Sequence, residues 1–245
     1  MADLHILPGP EDAAHASAEF VAALSETQTR VQGRFTIALS GGSTPRRLYR
    51  ILASTPYAEG VAWDRWRVFW GDERCVPPDH RDSNYRMARE ALLDHVPVPA
   101  GQVHRIRGEA SPQVAAEEYE KALLDVFGDS RPAFDLILLG IGEDGHTASL
   151  FPGSDALEEE QRLVVANWAS HLQAHRITFT LSLINAAATV AFLVTEESKA
   201  RVLKEVLEPT PGGPVRPAAL VRPTSGVLHW FLTPAAASQL QEARA

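Results

Sequence analysis

Residues 35–52 read FTIALSGGSTPRRLYRIL. An apolar run of strand length, 35–39, ends at Ser40, two glycines follow, and a helical stretch opens at Pro45 and continues to about Leu52. Proline suits the first turn of a helix, since its φ is already helical and its missing N–H would have had no partner there. Thr44 stands where a capping hydroxyl is expected. A strand, a glycine turn and a helix in succession form the repeating unit of an α/β fold.

The same unit recurs along the chain. A short strand at 4–7 precedes a helix from Pro10 to about Val31, with Phe20, Leu24 and Val31 on one face. A strand at 67–71 (RVFWG) precedes a helix from Asn84 to about His95, and a helix over 112–127 feeds a strand at 134–139 (FDLILL). LVVANW (163–168), ITFTLSL (177–183) and TVAFLV (189–194) read as further strands. A helix from about Glu196 to Leu207 carries Val202, Leu203, Val206 and Leu207 as an apolar stripe. Several strands are continuous apolar runs, as strands covered on both faces are. A modified Rossmann-like α/β fold is predicted, a mostly parallel sheet with helices on both faces, forming one domain over residues 1–245. The segment PTPGGPVRP (209–217) reads as a turn-rich connection and the acidic run 158–160 as solvated surface.

Composition narrows the function classes. Hydrophobic residues make up 45% of the 245 and charged residues 22%, enough for a sizeable core. A formal net charge of −8 disfavours nucleic acid and anionic membranes as partners. The single cysteine, Cys75, has no partner for an internal disulfide, and no stretch approaches the ~20 apolar residues of a membrane span. The expected protein is cytoplasmic and monomeric.

Residues 138–153 read LLGIGEDGHTASLFPG. Gly140, Gly142 and Gly145 have the spacing of a dinucleotide-binding turn, but Glu143 and Asp144 stand where the pyrophosphate charge would come. The next strand, LVVANW, also ends without the acid that would hold the ribose. His146, just past a strand's carboxyl end where open α/β sheets bind ligands, is placed to act as a base. In SGGSTP the N–H groups of Gly41, Gly42 and Ser43 lie at a helix N-terminus and suit an anion, though a tight capped turn explains them equally well. Lys199, in the first turn of its helix, is a cation at the wrong end of the dipole and so suggests a nearby anion. Arg176 sits at the N-terminal end of its strand and by itself reads as a surface residue. Asp72, Glu73 and Arg74 follow the strand VFW and place an acid/arginine cluster at another carboxyl end.

Other features carry less. His171 and His175 are four apart in HLQAH, but Leu172 occupies the position of a metalloprotease glutamate. Cys75 lies beside Asp72 and Glu73, which disfavour a thiolate. There is no G-x-S-x-G elbow. No metal and no NAD(P) cofactor are expected.

Taken together, SGGSTP (40–45), GDERCVP with SNY (71–77, 83–85), GEDGHTASLFP (142–152), HRITFT with LIN (175–180, 183–185) and FLVTEESKA (192–200) resemble the 6-phosphogluconolactonase family, in order and over nearly the whole chain. That family shares its fold with glucosamine-6-phosphate deaminases. The resemblance implies hydrolysis of a sugar-phosphate lactone with His146 as general base. It implies that Ser40, Gly41, Gly42, Ser43, Arg176 and Lys199 hold the phosphate and that Asp72 and Arg74 line the sugar site. Two departures stand out: Ser182 replaces a usual proline, and Glu196 replaces a frequent glycine, where it could pair with Lys199.

A six-membered lactone has an electrophilic ester carbonyl, so water needs only modest activation, a task matched to an imidazole of ordinary pKa, ~6.5. Asp144 could orient His146, and Arg74 or the glycine amides of the 140–145 turn could bind the oxyanion. Two rival readings are a deaminase and a non-catalytic sugar-phosphate sensor. The deaminase motif carries glutamate where this chain has Phe151. Sensors of related fold carry a helix-turn-helix segment for which the chain before its first large strand is too short.

Overall fold

The computed structural model describes residues 2–128 and 131–241. In chain order its elements are β1 (Asp3–Ile6), α1 (Pro10–Gln32), β2 (Phe35–Leu39), α2 (Ser43–Leu52), α3 (Tyr57–Gly60), β3 (Trp66–Trp70), β4 (Asp72–Arg74) and α4 (Asn84–Ala88). There follow α5 (Pro112–Phe127), β5 (Leu136–Leu139), β6 (Val164–Ala169), β7 (Ala174–Phe179), α6 (Leu181–Ile184), β8 (Thr189–Val194), α7 (Ala200–Leu207) and β9 (Val227–Leu232). Among the described residues no helix is long and apolar enough to cross a membrane.

Six strands form a wholly parallel sheet in the order β1-β9-β8-β5-β2-β3, surrounded by helices. Every residue of β2, β5 and β8 is buried, as a strand covered on both faces requires. From β2 the chain runs through α2 and α3 to β3 on one side, and from β5 it reaches β8 on the other. β2 and β5 pair directly, Ile37 with Leu136 and Ala38 with Ile137. The loops after Leu39 and Leu139 therefore diverge and leave a crevice at a topological switch point, where open α/β sheets take their ligands.

Not every strand joins that sheet. β6 and β7, expected as part of the parallel array, form an antiparallel sheet with β4 in the order β4-β7-β6. A four-residue turn between β6 and β7 leaves no room for the crossover that parallel strands need. β4 and β9 go beyond the strands the sequence predicts; β4 (DER) has no apolar pattern and becomes a strand only by pairing with β7.

Local corrections have local causes. On α1 the buried face is Ala13, Ala14, Ser17, Ala18, Val21 and Ser25, whose small side chains allow close approach, while Val31 is 76% exposed. The helix expected over 84–95 is capped by Ser83, whose Oγ accepts from the Arg86 amide, and widens into a π-helical turn at Arg89–Leu93. The apolar ITFTLSL run breaks at Thr180, which caps α6, so Ser182 lies in a short helix and not in a strand. Thr44 does not cap α2; it lies in the helix's first turn, and its hydroxyl shares a hydrogen bond of 3.1 Å with that of Thr195, which ties the start of α2 to the loop after β8. Lys199 ends a 3-10 turn, Glu197–Lys199, that leads into α7.

Candidate active site

The loop after β5 has no helix behind it, which removes the dipole a dinucleotide turn needs. It closes on itself instead: the Gly142 amide donates to the His146 carbonyl at 2.9 Å and the Gly145 amide to the Gly142 carbonyl at 3.0 Å. Asp144 Oδ1 accepts from the His146 amide at 3.1 Å and from the ring Nδ1 at 2.6 Å. With Nδ1 donating, Nε2 is the nitrogen whose lone pair can take a proton. Burial works to raise the Asp144 carboxyl, but the His146 amide and ring outweigh it and hold the group below its ordinary value, ionised beside the imidazole. A Cβ on Gly142 would run into the His146 ring, so only glycine fits there. Phe151 packs against the same ring with centroids 4.8 Å apart, and His171 stands 4.9 Å beyond Phe151.

The loop after β2 faces this turn. Tyr49, on α2, donates its hydroxyl to the Ser40 carbonyl and accepts from the Ser40 amide, both at 2.9 Å, so the first turn of the loop is anchored by its own helix. Ser40 Oγ is buried and has no hydrogen-bond partner among the described residues. Asn84 presses its amide against Gly41 so closely that any side chain there would collide with it.

A third group comes from β4. Asp72 is buried, with Oδ2 accepting from Ser149 Oγ at 2.7 Å and Oδ1 from Asn84 Nδ2 at 3.2 Å. Glu73 is also buried and collects the amides of Arg74, Asn84 and Tyr85 at 2.7–2.8 Å and the Ser83 hydroxyl at 3.0 Å. Burial pushes the Glu73 carboxyl up in pKa despite those donors. Arg74 Nη1 donates to the Asp82 carbonyl at 2.6 Å.

The antiparallel sheet changes the standing of Arg176. Arg74 and Arg176 are directly opposed in the β4–β7 register, so their side chains rise from the same face. Burial first, and then the charge of Arg74, lowers the Arg176 guanidinium pKa. Two like charges at opposed positions are destabilising on their own, and an anion between them removes the conflict. A strand end that reads as surface in the sequence thus stands opposite a second arginine.

A cavity of about 170 Å³ joins these parts and is lined by Ser40, Gly41, Gly42, Asp72, Arg74, Asn84, Gly142 and His146, among others. Of the sequence-predicted residues, Ser43, Asp144, Arg176 and Lys199 are not in its lining. Asp144 lies behind His146, and Arg176 stands beside Arg74. Lys199, only 16% exposed, reaches the base turn through an ion pair of 3.6 Å with Glu143. Glu196 does not pair with Lys199, contrary to expectation; it accepts from Ser43 Oγ at 3.1 Å. Asn84 and Ser149 complete the cluster without having been singled out, and Glu73, legible in the sequence as part of the acid/arginine cluster, joins them. Their signal was present in the adjacent SNY, DER and TAS triplets, but their bonds to one another depend on the fold.

Comparison with known proteins identifies the family. The family model described as glucosamine-6-phosphate isomerases/6-phosphogluconolactonase matches residues 8–230. A 6-phosphogluconolactonase of Nostoc sp. is 42% identical over 242 residues, covering 97% of this chain and 98% of that protein. The human 6-phosphogluconolactonase is 45% identical over 212 residues, 85% of this chain and 82% of that one. The solved 6-phosphogluconolactonase of Trypanosoma brucei superposes with a TM-score of 0.87 at 31% identity, covering 98% and 99% of the two chains. With switch-point crevice, glycine cradle and histidine turn in place over nearly its full length, the chain belongs to the glucosamine-6-phosphate isomerase/6-phosphogluconolactonase family.

Proposed function

We propose that this chain hydrolyses 6-phospho-D-glucono-1,5-lactone to 6-phospho-D-gluconate, the lactone step of the oxidative pentose phosphate route, with His146 as general base. The observation that carries the reading is the His146–Asp144 pair at 2.6 Å, set across one small cavity from the glycine cradle and Arg74.

His146 Nε2 takes a proton from water as the water oxygen bonds to the lactone carbonyl carbon. The resulting oxyanion needs a donor. The Gly142 and Gly145 amides are committed within their own turn, and of the donors lining the cavity we assign Arg74 to the oxyanion, the Ser40 hydroxyl and the glycine cradle being left to the phosphate. Collapse then breaks the bond to the ring oxygen, which receives the proton from the imidazolium, and the open-chain acid leaves. Asp144 holds Nδ1–H throughout and stabilises the imidazolium between the two transfers. Asp72, with an oxygen already committed to each of Ser149 and Asn84, serves as a fixed acceptor for a sugar hydroxyl.

The phosphate is assigned to Ser40, Gly41, Gly42 and Ser43 with Arg176 and Lys199. The opposed Arg74–Arg176 pair supports an anion there, and so does the low exposure of Lys199. We propose a monomer that works as a single domain in the cytoplasm. Phe151, packed on His146, gives a deaminase no carboxylate at that position.

Purified protein should accelerate opening of the phosphorylated lactone well above the spontaneous rate in slightly acid buffer, and unphosphorylated gluconolactone should be a poor substrate. Release of ammonia from glucosamine 6-phosphate, with no lactone hydrolysis, would overturn the reading.

A further inference from the structure

The turn-rich connection ends in a side chain that the chemistry above leaves unused. Arg216 is only 17% exposed, and its Nε and Nη2 both meet Glu205 Oε2 of α7, at 2.7 and 2.6 Å. Its Nη1 donates to the backbone carbonyl of Asp144 at 3.1 Å. Its aliphatic stem lies on Gly145, where an added Cβ would stand 2.7–2.9 Å from Arg216 Cβ, Cγ and Cδ. Two residues on, the Ala218 amide donates to the Gly145 carbonyl at 3.0 Å. One short segment thus holds two consecutive carbonyls of the turn that leads into His146.

Those two peptides decide where the Asp144 carboxylate stands relative to the imidazole. Gly145, at φ 84°, is the freest joint in the turn. A clamp laid over that joint removes motion where it would most disturb the 2.6 Å contact between Asp144 and His146. An isolated exposed ion pair would contribute almost nothing. Arg216 differs because it is largely covered and its Nη1 donates to the catalytic turn itself. Bridging Glu205 and a carbonyl at once needs the planar fork of arginine; a lysine ammonium has no such spread.

We propose that Arg216 is a positioning residue for the hydrolysis: braced by Glu205, it immobilises the Asp144 and Gly145 peptides so that Asp144 keeps the His146 ring directed into the cavity. This role rests on His146 as the proton acceptor, and the two can be tested apart. Arg216→Met keeps the stem and removes the fork. It should lower kcat by about 10-fold to 10²-fold, the range for a misplaced catalytic group, with KM for the phosphorylated lactone changed less than about twofold. Arg216→Lys should recover only part of the loss. Glu205→Gln should lose less than Arg216→Met, and the double variant should be no worse than Arg216→Met alone, because both changes break one linkage. The Nδ1 proton shared by His146 and Asp144 should give a downfield proton resonance that broadens in Arg216→Met. If Arg216→Met fails to fold, the lysine and Glu205→Gln variants carry the same test. Wild-type kcat in Arg216→Met beside an inactive His146→Gln enzyme would overturn the role of Arg216 alone. So would a kcat loss with the proton resonance unchanged. An active His146→Gln enzyme would remove the base assignment and the clamp's purpose together.

Discussion

Arg176→Met separates the cost of a binding site from its use. The methionine keeps most of the aliphatic stem and deletes the charge that opposes Arg74 across the β4–β7 register. Relief of a like-charged cross-strand pair should return about 0.2–1 kcal/mol to the unliganded protein. Against this stands one lost bond, Arg176 Nη1 to the His175 carbonyl at 3.1 Å. That bond contributes about 0.5–1.5 kcal/mol. The two nearly cancel, so the melting temperature should move by less than about 4 °C. Binding has no such offset. Loss of a charge-assisted arginine–phosphate contact should cost about 1.5–3 kcal/mol, a rise in KM of roughly 10-fold to 10²-fold with kcat little changed. Steady-state hydrolysis of phosphorylated and unphosphorylated lactones, run beside melts with and without inorganic phosphate, reads both quantities. Only the phosphorylated substrate should suffer, and phosphate should stabilise the variant less than the wild type. Equal losses on both substrates, or a melting temperature lowered by ten degrees or so, would show Arg176 to be structural.

His146→Gln should fold and still bind 6-phosphogluconate but lose about 10²–10⁴ in kcat. A glutamine variant with the wild-type rate would send the search for the base to Asp72. Gly41→Ala places a methyl group on the Asn84 amide and should loosen both the cradle and the Asp72 anchor, raising KM without abolishing folding. An unchanged KM would mean that the loop yields freely. Glu73 has a folded-state pKa above its unfolded value, so its extra stabilisation is fully present below about 4.5 and is lost as pH rises through the folded value. The stability advantage of wild type over Glu73→Gln, measured by denaturant melts, should therefore shrink from acid toward neutral pH; a gap that widens would contradict the assignment. Prolonged dialysis against EDTA should leave activity intact, and a loss restored by one divalent ion would refute the metal-free chemistry.

The sites where sequence and structure part company share a cause. Arg176 read as surface because the strand that carries it was assigned to the parallel sheet; its actual partner, β4, is 102 residues earlier, counting from Arg74 to Arg176, and has no apolar pattern of its own. Glu196, a departure from the family's glycine that could pair with Lys199, instead reaches Ser43 at the start of α2, while Glu143 takes the lysine. Asn84 was visible only as part of a triplet, and its function of wedging Gly41 against Asp72 exists only once β2, β4 and α4 have met.

By itself the sequence determined what depends on neighbours within a turn or two: buried strands as apolar runs, glycines at strand ends, and an aspartate two residues before a histidine. These follow from backbone sterics and hydrophobic periodicity, which act over a few residues and survive in any context. Only the tertiary structure decided that the loops after Leu39 and Leu139 face each other, that Arg74 stands opposite Arg176, and that Arg216 clamps the turn before His146. Such pairings join segments roughly 70–150 residues apart. Closing loops of that length varies only slowly in entropy with their length, so spacing along the chain carries almost no information about which segments meet. The choice is made by burial and register across the whole core.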